Sequence, residues 1–219
     1  MKLITLSLAV ALLSIVSLNA CSNAEVSMNI QKETEAKFHL NPQPKQAYRL
    51  MIKINDAPGP LQLMGKMGVG YKAEDCTYII NKFEGAPAHP EKNVQFDIHQ
   101  INEFEYESIV YADAVLNEDY FGDGVCHWNP EGFGFSLSAT GKPEETRFNF
   151  SDILEKLLSK KTLTQYFSTR PYPFSKKEDG TIYIDNPTHY GITPSELYNP
   201  NQDKEKFSIT VSLEEFDHE

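Results

Sequence analysis

A dense group of carboxylates lies between residues 111 and 128. Its members are Asp113, Glu118, Asp119 and Asp123. A calcium ion takes about six to eight oxygen ligands, and a pair of carboxylates can hydrolyse a glycosidic bond. The spacing does not match an EF-hand loop, and any acidic chain offers carboxylate pairs. A calcium site, and a small hydrolase acting through Asp119 and Asp123, therefore stay as the weaker alternatives here.

The same stretch also carries aromatic side chains next to its acids. The residues expected to contact a partner are Glu118, Asp119, Tyr120, Phe121 and Asp123. Aromatic anchors flanked by carboxylates suit a basic cleft on another protein. The sequence therefore predicts a protruding binding loop, while the alternative is a turn between strands whose two rings fill the edge of the core.

Local signatures of catalysis are absent from the sequence. There is no G-x-S-x-G, H-E-x-x-H, S-x-x-K or phosphate-binding glycine loop. The six histidines are scattered without the spacing of metal ligands. We therefore predict a binding protein that is not an enzyme and that holds no cofactor or metal.

The N-terminus has the form of a bacterial lipoprotein signal. Lys2 is followed by an apolar run from Leu3 to Leu18, and then by Asn19-Ala20-Cys21. This pattern predicts a signal peptide over residues 1–20, lipidation of Cys21, and an outer-membrane lipoprotein that faces the periplasm. The alternative is an ordinary secretory peptide in which Cys21 is a chance residue.

The two other cysteines, Cys76 and Cys126, are expected to form a disulfide. An exported protein lies in an oxidising compartment, where paired cysteines become bridged. Closing a loop of about 51 residues would stabilise the fold by about 4 kcal/mol at most. A metal or redox site is the weaker alternative, because the sequence has no C-x-x-C motif.

The chain is acidic, with a formal net charge of −11. This charge argues against binding to nucleic acid and suits either a basic protein partner or simple solubility. Residues 21–46 are polar and end in Asn41-Pro42-Gln43-Pro44. They are expected to form a flexible tether between the lipid anchor and a single β-rich domain at 47–219.

Alternation of apolar and polar residues dominates from residue 47 onward. It is clearest at Tyr48–Ile54, Val94–Ile98, Phe104–Val110, Phe133–Ala139 and Phe207–Leu213. Proline and glycine turns separate these runs. The pattern predicts a mainly β fold, an antiparallel β-sandwich or open barrel.

Two segments depart from this alternation. Residues 151–161 are expected to form a short amphipathic helix, with Asp152 as its N-cap and Glu155 at capping-box spacing. Residues 166–206 are rich in tyrosine and proline and are expected to be ordered loop, with one strand at Thr181–Ile184. Their tyrosines either form a binding surface or cover the side of the sandwich.

A family resemblance rests on the acidic stretch. Tyr111-Ala112-Asp113 followed by Leu116–Trp128 resembles a motif of small Gram-negative lipoproteins associated with type VI secretion toxin genes. Two further segments support it, Tyr48–Pro60 and the run from Thr140 to Phe148. The resemblance covers residues 47–150 and leaves 151–219 outside.

The resemblance implies an immunity protein that neutralises a toxin delivered into the periplasm, often a phospholipase. The expected partners are this cognate toxin and the membrane that holds the Cys21 lipid. From a different functional class, the alternative is an envelope lipoprotein that inhibits or binds lysozyme-like hydrolases.

Overall fold

A computed structural model describes Met28, Lys32 and residues 34–81, 85–176, 180–182, 188–193 and 205–214. The predicted signal peptide and Cys21 lie outside these residues. Among the residues that are described, no helix is long and apolar enough to span a membrane.

The described residues are organised mainly as strands, which confirms the predicted fold class. The strands are β1 Ala47–Asn55, β2 Gln62–Lys72, β3 Tyr78–Asn81, β4 Ala86–Ala88, β5 Glu91–Phe96, β6 Ile98–Asn102, β7 Glu105–Tyr111, β8 Asn129–Ser138, β9 Arg147–Ile153, β10 Thr162–Ser168, β11 Thr188–Tyr190 and β12 Lys206–Glu214. A short helix, α1, spans Leu154–Lys160.

The chain divides into two compact units, whereas the sequence analysis expects one domain from 47 to 219. Of the continuous described stretches, the first unit takes 34–39, 73–81, 85–91 and 116–127. The second unit takes the rest, 40–72, 92–115, 128–176, 180–182, 188–193 and 205–214. Each unit is assembled from segments that are distant along the chain.

The second unit contains two five-stranded sheets. Their strand orders are β10-β12-β1-β7-β6 and β11-β9-β8-β2-β5. Strand β1 pairs antiparallel with β12 and β7, and β8 pairs antiparallel with β2 and β9, while β11 runs parallel to β9. Antiparallel pairing with one buried face explains the alternation along β1 and β12.

The core of the second unit lies between the two sheets. Phe148 of β9 is fully buried, and its ring centroid lies 5.1 Å from that of Phe207 on β12 and 6.0 Å from that of Phe167 on β10. These contacts join residues of different sheets, and burying one such ring contributes about 1.5–3 kcal/mol. The two sheets therefore pack face to face around an aromatic centre.

Helix α1 begins later than predicted. Its N-terminal boundary residue is Ile153, which makes no side-chain capping bond, and Asp152 is still in β9. The Asp152 carboxylate instead pairs with Lys156 Nζ at 3.0 Å, so it is not available for the predicted capping box. The predicted N-cap is wrong because β9 extends through Ile153 and uses the residues that the capping pattern assigned to the helix.

The segment 166–206 contains more strand than expected. Tyr166 belongs to β10 and lies opposite Ser208 of β12, and β11 occupies Thr188–Tyr190. Ile182 forms only an isolated bridge to Lys176, and residues 183–187 and 194–204 lie outside the description. The pattern of β10 was hidden because the polar Gln165 is buried, where it donates a hydrogen bond to the Ser151 carbonyl at 2.7 Å.

The described part of the expected tether is held by contacts. Leu40 forms a bridge with Val115, and the backbone amides of Lys45 and Gln46 donate to the Asp113 carboxylate at 2.9 and 3.0 Å. Residues 40–46 are therefore attached to the second unit. The low apolar content concealed this because hydrogen bonds hold the segment, both to the Asp113 carboxylate and between backbone groups, as from the Asn41 amide to the Ala114 carbonyl at 2.8 Å.

Candidate functional site

The predicted binding loop, Glu118 to Asp123, lies in the first unit and is closed by a disulfide. Cys76 and Cys126 are bridged with their Cα atoms 5.5 Å apart, which confirms the predicted pairing. The Cys126 amide donates a hydrogen bond to the Glu118 carbonyl at 3.0 Å. Glu118, at the start of the loop, is thus bonded to Cys126, three residues after its end, and Cys126 is bridged to Cys76.

A second clamp lies directly beside the disulfide. Asp75 accepts a hydrogen bond from the His127 amide at 3.1 Å, and its other oxygen lies 2.6 Å from His127 Nδ1. These hydrogen bonds, the side-chain bond first, lower the pKa of the Asp75 carboxyl below its ordinary value. The residues that neighbour the two cysteines therefore join the same two segments.

This clamp predicts a pH dependence of stability. A carboxyl whose pKa is lower in the folded state stabilises the fold above its ordinary pKa of about 4. The contribution is lost as the pH falls through the lowered folded pKa. We expect Asp75→Asn to have a lower urea midpoint than wild type at pH 7, with the difference shrinking in acid.

Urea unfolding between neutral pH and about pH 2 measures this difference. The matched control is Asp123→Asn, an exposed carboxyl in the same unit that should show no such trend. A gap between wild type and Asp75→Asn that stays constant with pH would contradict the assignment.

The shape of the loop depends on Asp119 and on two glycines. Asp119 Oδ1 accepts hydrogen bonds from the amides of Phe121 at 3.2 Å and Gly122 at 2.6 Å. Gly122 and Gly124 have φ values of 86° and 121°, where a side chain would be strained. Asp119 therefore shapes the loop through one carboxylate oxygen.

The two rings of the loop are half-buried and pack within the first unit. Tyr120 lies edge-on to Phe38 with ring centroids 5.2 Å apart, and Phe121 stacks on Tyr78 at 5.7 Å. The Tyr120 hydroxyl donates to the Leu116 carbonyl at 2.7 Å. Tyr120 and Phe121 therefore pack against other residues of the first unit. This is the arrangement that the alternative describes, in which the two rings fill the edge of the core.

The outward side of the loop is acidic. Asp123 is exposed and makes no hydrogen bond or ion pair with another described residue. Glu118 Oε2 lies 2.7 Å from His39 Nδ1, and Val125 is 49% exposed. The loop therefore presents carboxylates on a braced backbone, next to the exposed apolar side chain of Val125. This arrangement is suited to contacting cationic groups.

The supports of this loop were largely missed by the sequence analysis. Phe38 is buried although it falls in the expected tether, and neither Asp75 nor Tyr78 stood out in the sequence. The one available indication was that Asp75 and His127 each adjoin a cysteine of the predicted bridge. When two cysteines are bridged, the residues beside them in sequence also come close together, as Asp75 and His127 do here.

The structure brings together one serine and one histidine that the sequence analysis did not identify. Ser175 Oγ lies 3.1 Å from His189 Nε2 and 3.2 Å from Thr146 Oγ1. Ser175 is buried, and burial also lowers the pKa of His189. This serine is held inside a polar network, so we assign the contact a structural role.

Within the described part of the chain, no three histidine, cysteine, aspartate or glutamate side chains form a group that could hold a metal ion. Among the acidic cluster of the sequence, Asp113 accepts backbone hydrogen bonds from residues 45 and 46. It lies in the second unit, whereas Glu118, Asp119 and Asp123 lie in the first.

Comparison of the chain with protein-family models, with curated proteins and with solved structures found no match.

Proposed function

We propose that this protein is a lipid-anchored periplasmic immunity protein that binds and neutralises a cognate antibacterial toxin, with a type VI secretion phospholipase as the candidate target. The observation that carries the proposal is the acidic loop at Glu118–Asp123, braced by the Cys76–Cys126 bridge. A disulfide also suits an exported protein, in agreement with the lipoprotein signal expected before Cys21.

In this proposal the protein acts by occupying its target and not by turnover. A loop that is already fixed loses little conformational freedom on binding, and more of the contact energy then becomes affinity. Exposed carboxylates would steer the loop toward a basic cleft. A stable complex would bury about 1,600 Å² in total, so surfaces besides the loop must also contribute.

The proposal predicts that reversing one charge of the loop weakens the complex. Asp123→Lys removes a carboxylate that no other described residue uses, so the loop should keep its shape. Affinity for the toxin encoded by the adjacent gene should fall about tenfold at low salt, mainly through slower association. The measurement is binding kinetics with the full-length protein extracted in detergent.

The matched control is Glu144→Lys, the same charge change at an exposed position of the second unit. It should leave the affinity within about twofold of wild type, because Glu144 does not belong to the loop that is proposed to contact the toxin. Equal losses for both variants would indicate a general charge effect and would count against the loop. Failure of wild type to co-purify with the adjacent toxin, together with protection against added lysozyme, would favour a lysozyme-type target instead.

A further inference from the structure

Histidines are concentrated in the acidic first unit. Three of the five histidines that the structure describes, His39, His89 and His127, lie there, while His99 and His189 lie in the second unit. The described residues of the first unit also include seven acidic side chains and two lysines. This unit therefore combines a negative charge with the side-chain type that changes its own charge between about pH 5 and pH 8.

Two of these histidines donate hydrogen bonds to carboxylates. His39 Nδ1 lies 2.7 Å from Glu118 Oε2, and His127 Nδ1 lies 2.6 Å from Asp75 Oδ2. A carboxylate only accepts hydrogen bonds, so the hydrogen in each contact belongs to the imidazole ring. At neutral pH Nδ1 therefore carries the hydrogen of each ring, and Nε2 is the unprotonated nitrogen.

His89 is fixed in the same tautomer by a backbone group. Its Nδ1 lies 2.9 Å from the carbonyl oxygen of Cys76, which also can only accept. The side chains of His39 and His127 are 65% and 64% exposed, and His89 is exposed as well. Each of the three exposed rings can therefore take up a proton from the solvent at Nε2 as the pH falls.

Protonation of these rings changes the charge that the unit presents. His39 contacts the Glu118 carboxylate, and its ring centroid lies 6.1 Å from that of Tyr120. A protonated His39 forms an ion pair with Glu118, at the start of the acidic loop, and a protonated His127 does the same with Asp75. Protonation of His89 adds a third positive charge to the same unit.

We propose that pH regulates binding through the first unit. At neutral pH the three rings are uncharged, and the unit attracts a cationic surface of the toxin. Near about pH 5.5 the rings are protonated, and the attraction is weaker. This regulation rests on the proposed function, because it concerns the unit whose loop is proposed to contact the toxin.

The sign of the effect follows from charge. Each proton that is taken up adds a positive charge to a surface that attracts cations, so acid weakens the complex. Aspartate and glutamate side chains ordinarily titrate near about pH 4 and keep their charge in this range. The histidines of the first unit therefore account for its change of charge between about pH 7.5 and pH 5.5.

The test measures dissociation constants at about pH 7.5 and about pH 5.5, with the full-length protein in detergent at low salt. One ligand is the toxin encoded by the adjacent gene. The other is N-acetylated hexalysine, whose side chains keep their charge because lysine titrates near about pH 10. Each dissociation constant should rise about tenfold at the lower pH.

Variants assign this change to the three rings. The combined variant His39→Gln, His89→Gln and His127→Gln keeps side-chain amide donors without ionisable rings, and it should show a change of about twofold or less. His39→Gln alone, at an exposed side chain, should reduce the change to about fivefold and serves if the combined variant has a lower urea midpoint. The control is His99→Gln, at an exposed position of the second unit, which should keep the full change.

Two results would overturn the pH dependence. One is equal affinity of the wild-type protein for hexalysine at the two pH values, and the other is an undiminished change in both the combined variant and His39→Gln. A toxin complex with one affinity at both pH values would overturn the regulation and leave the proposed function standing. Absence of any toxin complex at neutral pH would overturn the proposed function, while hexalysine would still decide whether the unit responds to pH.

Discussion

Replacing Cys76 and Cys126 together by alanine is expected to lower the free energy of unfolding by up to about 4 kcal/mol. The bridge joins residues that are 50 positions apart, and it restricts the unfolded chain far more than the folded one. The same bridge fixes the ends of the acidic loop, so the variant should also bind the proposed toxin more weakly. Urea unfolding of the full-length protein, with and without the bridge, measures the loss of stability.

Two controls accompany this measurement. Reducing the disulfide of the wild-type protein should lower the urea midpoint to that of the double alanine variant. Cys21→Ala should leave the midpoint unchanged, because Cys21 takes no part in the bridge. A wild-type midpoint that does not move on reduction would show that the bridge contributes nothing to stability.

Phe148→Ala is expected to cost about 3–5 kcal/mol of folding free energy. Phe148 is fully buried, and its edge-to-face contacts with Phe167 and Phe207 connect the two sheets of the second unit. Removing the ring would leave a cavity at the centre of this aromatic group. Thermal and urea unfolding of the purified protein report the change.

The control for this second prediction is Phe104→Ala. Phe104 is 44% exposed, so removing its ring should cost no more than about 1 kcal/mol. A similar loss for both variants would contradict the assignment of Phe148 to the centre of the core. Such a result would mean that aromatic area alone, and not position between the sheets, determines the effect.

Strands with one buried face were predictable from sequence. In β1, the residues Leu50, Ile52 and Ile54 are buried, and the less buried Arg49, Met51, Lys53 and Asn55 alternate with them. Strands β7, β8 and β12 follow the same rule. Their alternation is produced directly by packing one face of a sheet on the core, so it is visible without a structure.

Strand β2 was not predictable in this way because glycine interrupts its pattern. Gly68 lies opposite Gly134 of β8, and Gly70 lies opposite Gly132. Glycine weakens a strand in isolation, and here the pairing with β8 determines the structure. The end of β9 and the start of α1 were also misplaced. Ile153 pairs in the sheet as the last residue of β9, so the helix begins only at Leu154.

The candidate site was predictable in part. The cysteine count predicted the bridge, and the acids of the loop were recognised by their density. The direction of Tyr120 and Phe121 could not be predicted, because it depends on Phe38 and Tyr78, which come from distant segments.

The most direct test of the proposed function is a titration of the adjacent toxin with the purified protein, with the residual activity of the toxin as the readout. An inhibitor that acts by occupancy should abolish activity at one molecule per molecule of toxin, and the activity should return when the complex is separated. Neutralisation by a small fraction of an equivalent, with a toxin that stays inactive after the protein is removed, would show turnover and contradict the proposal.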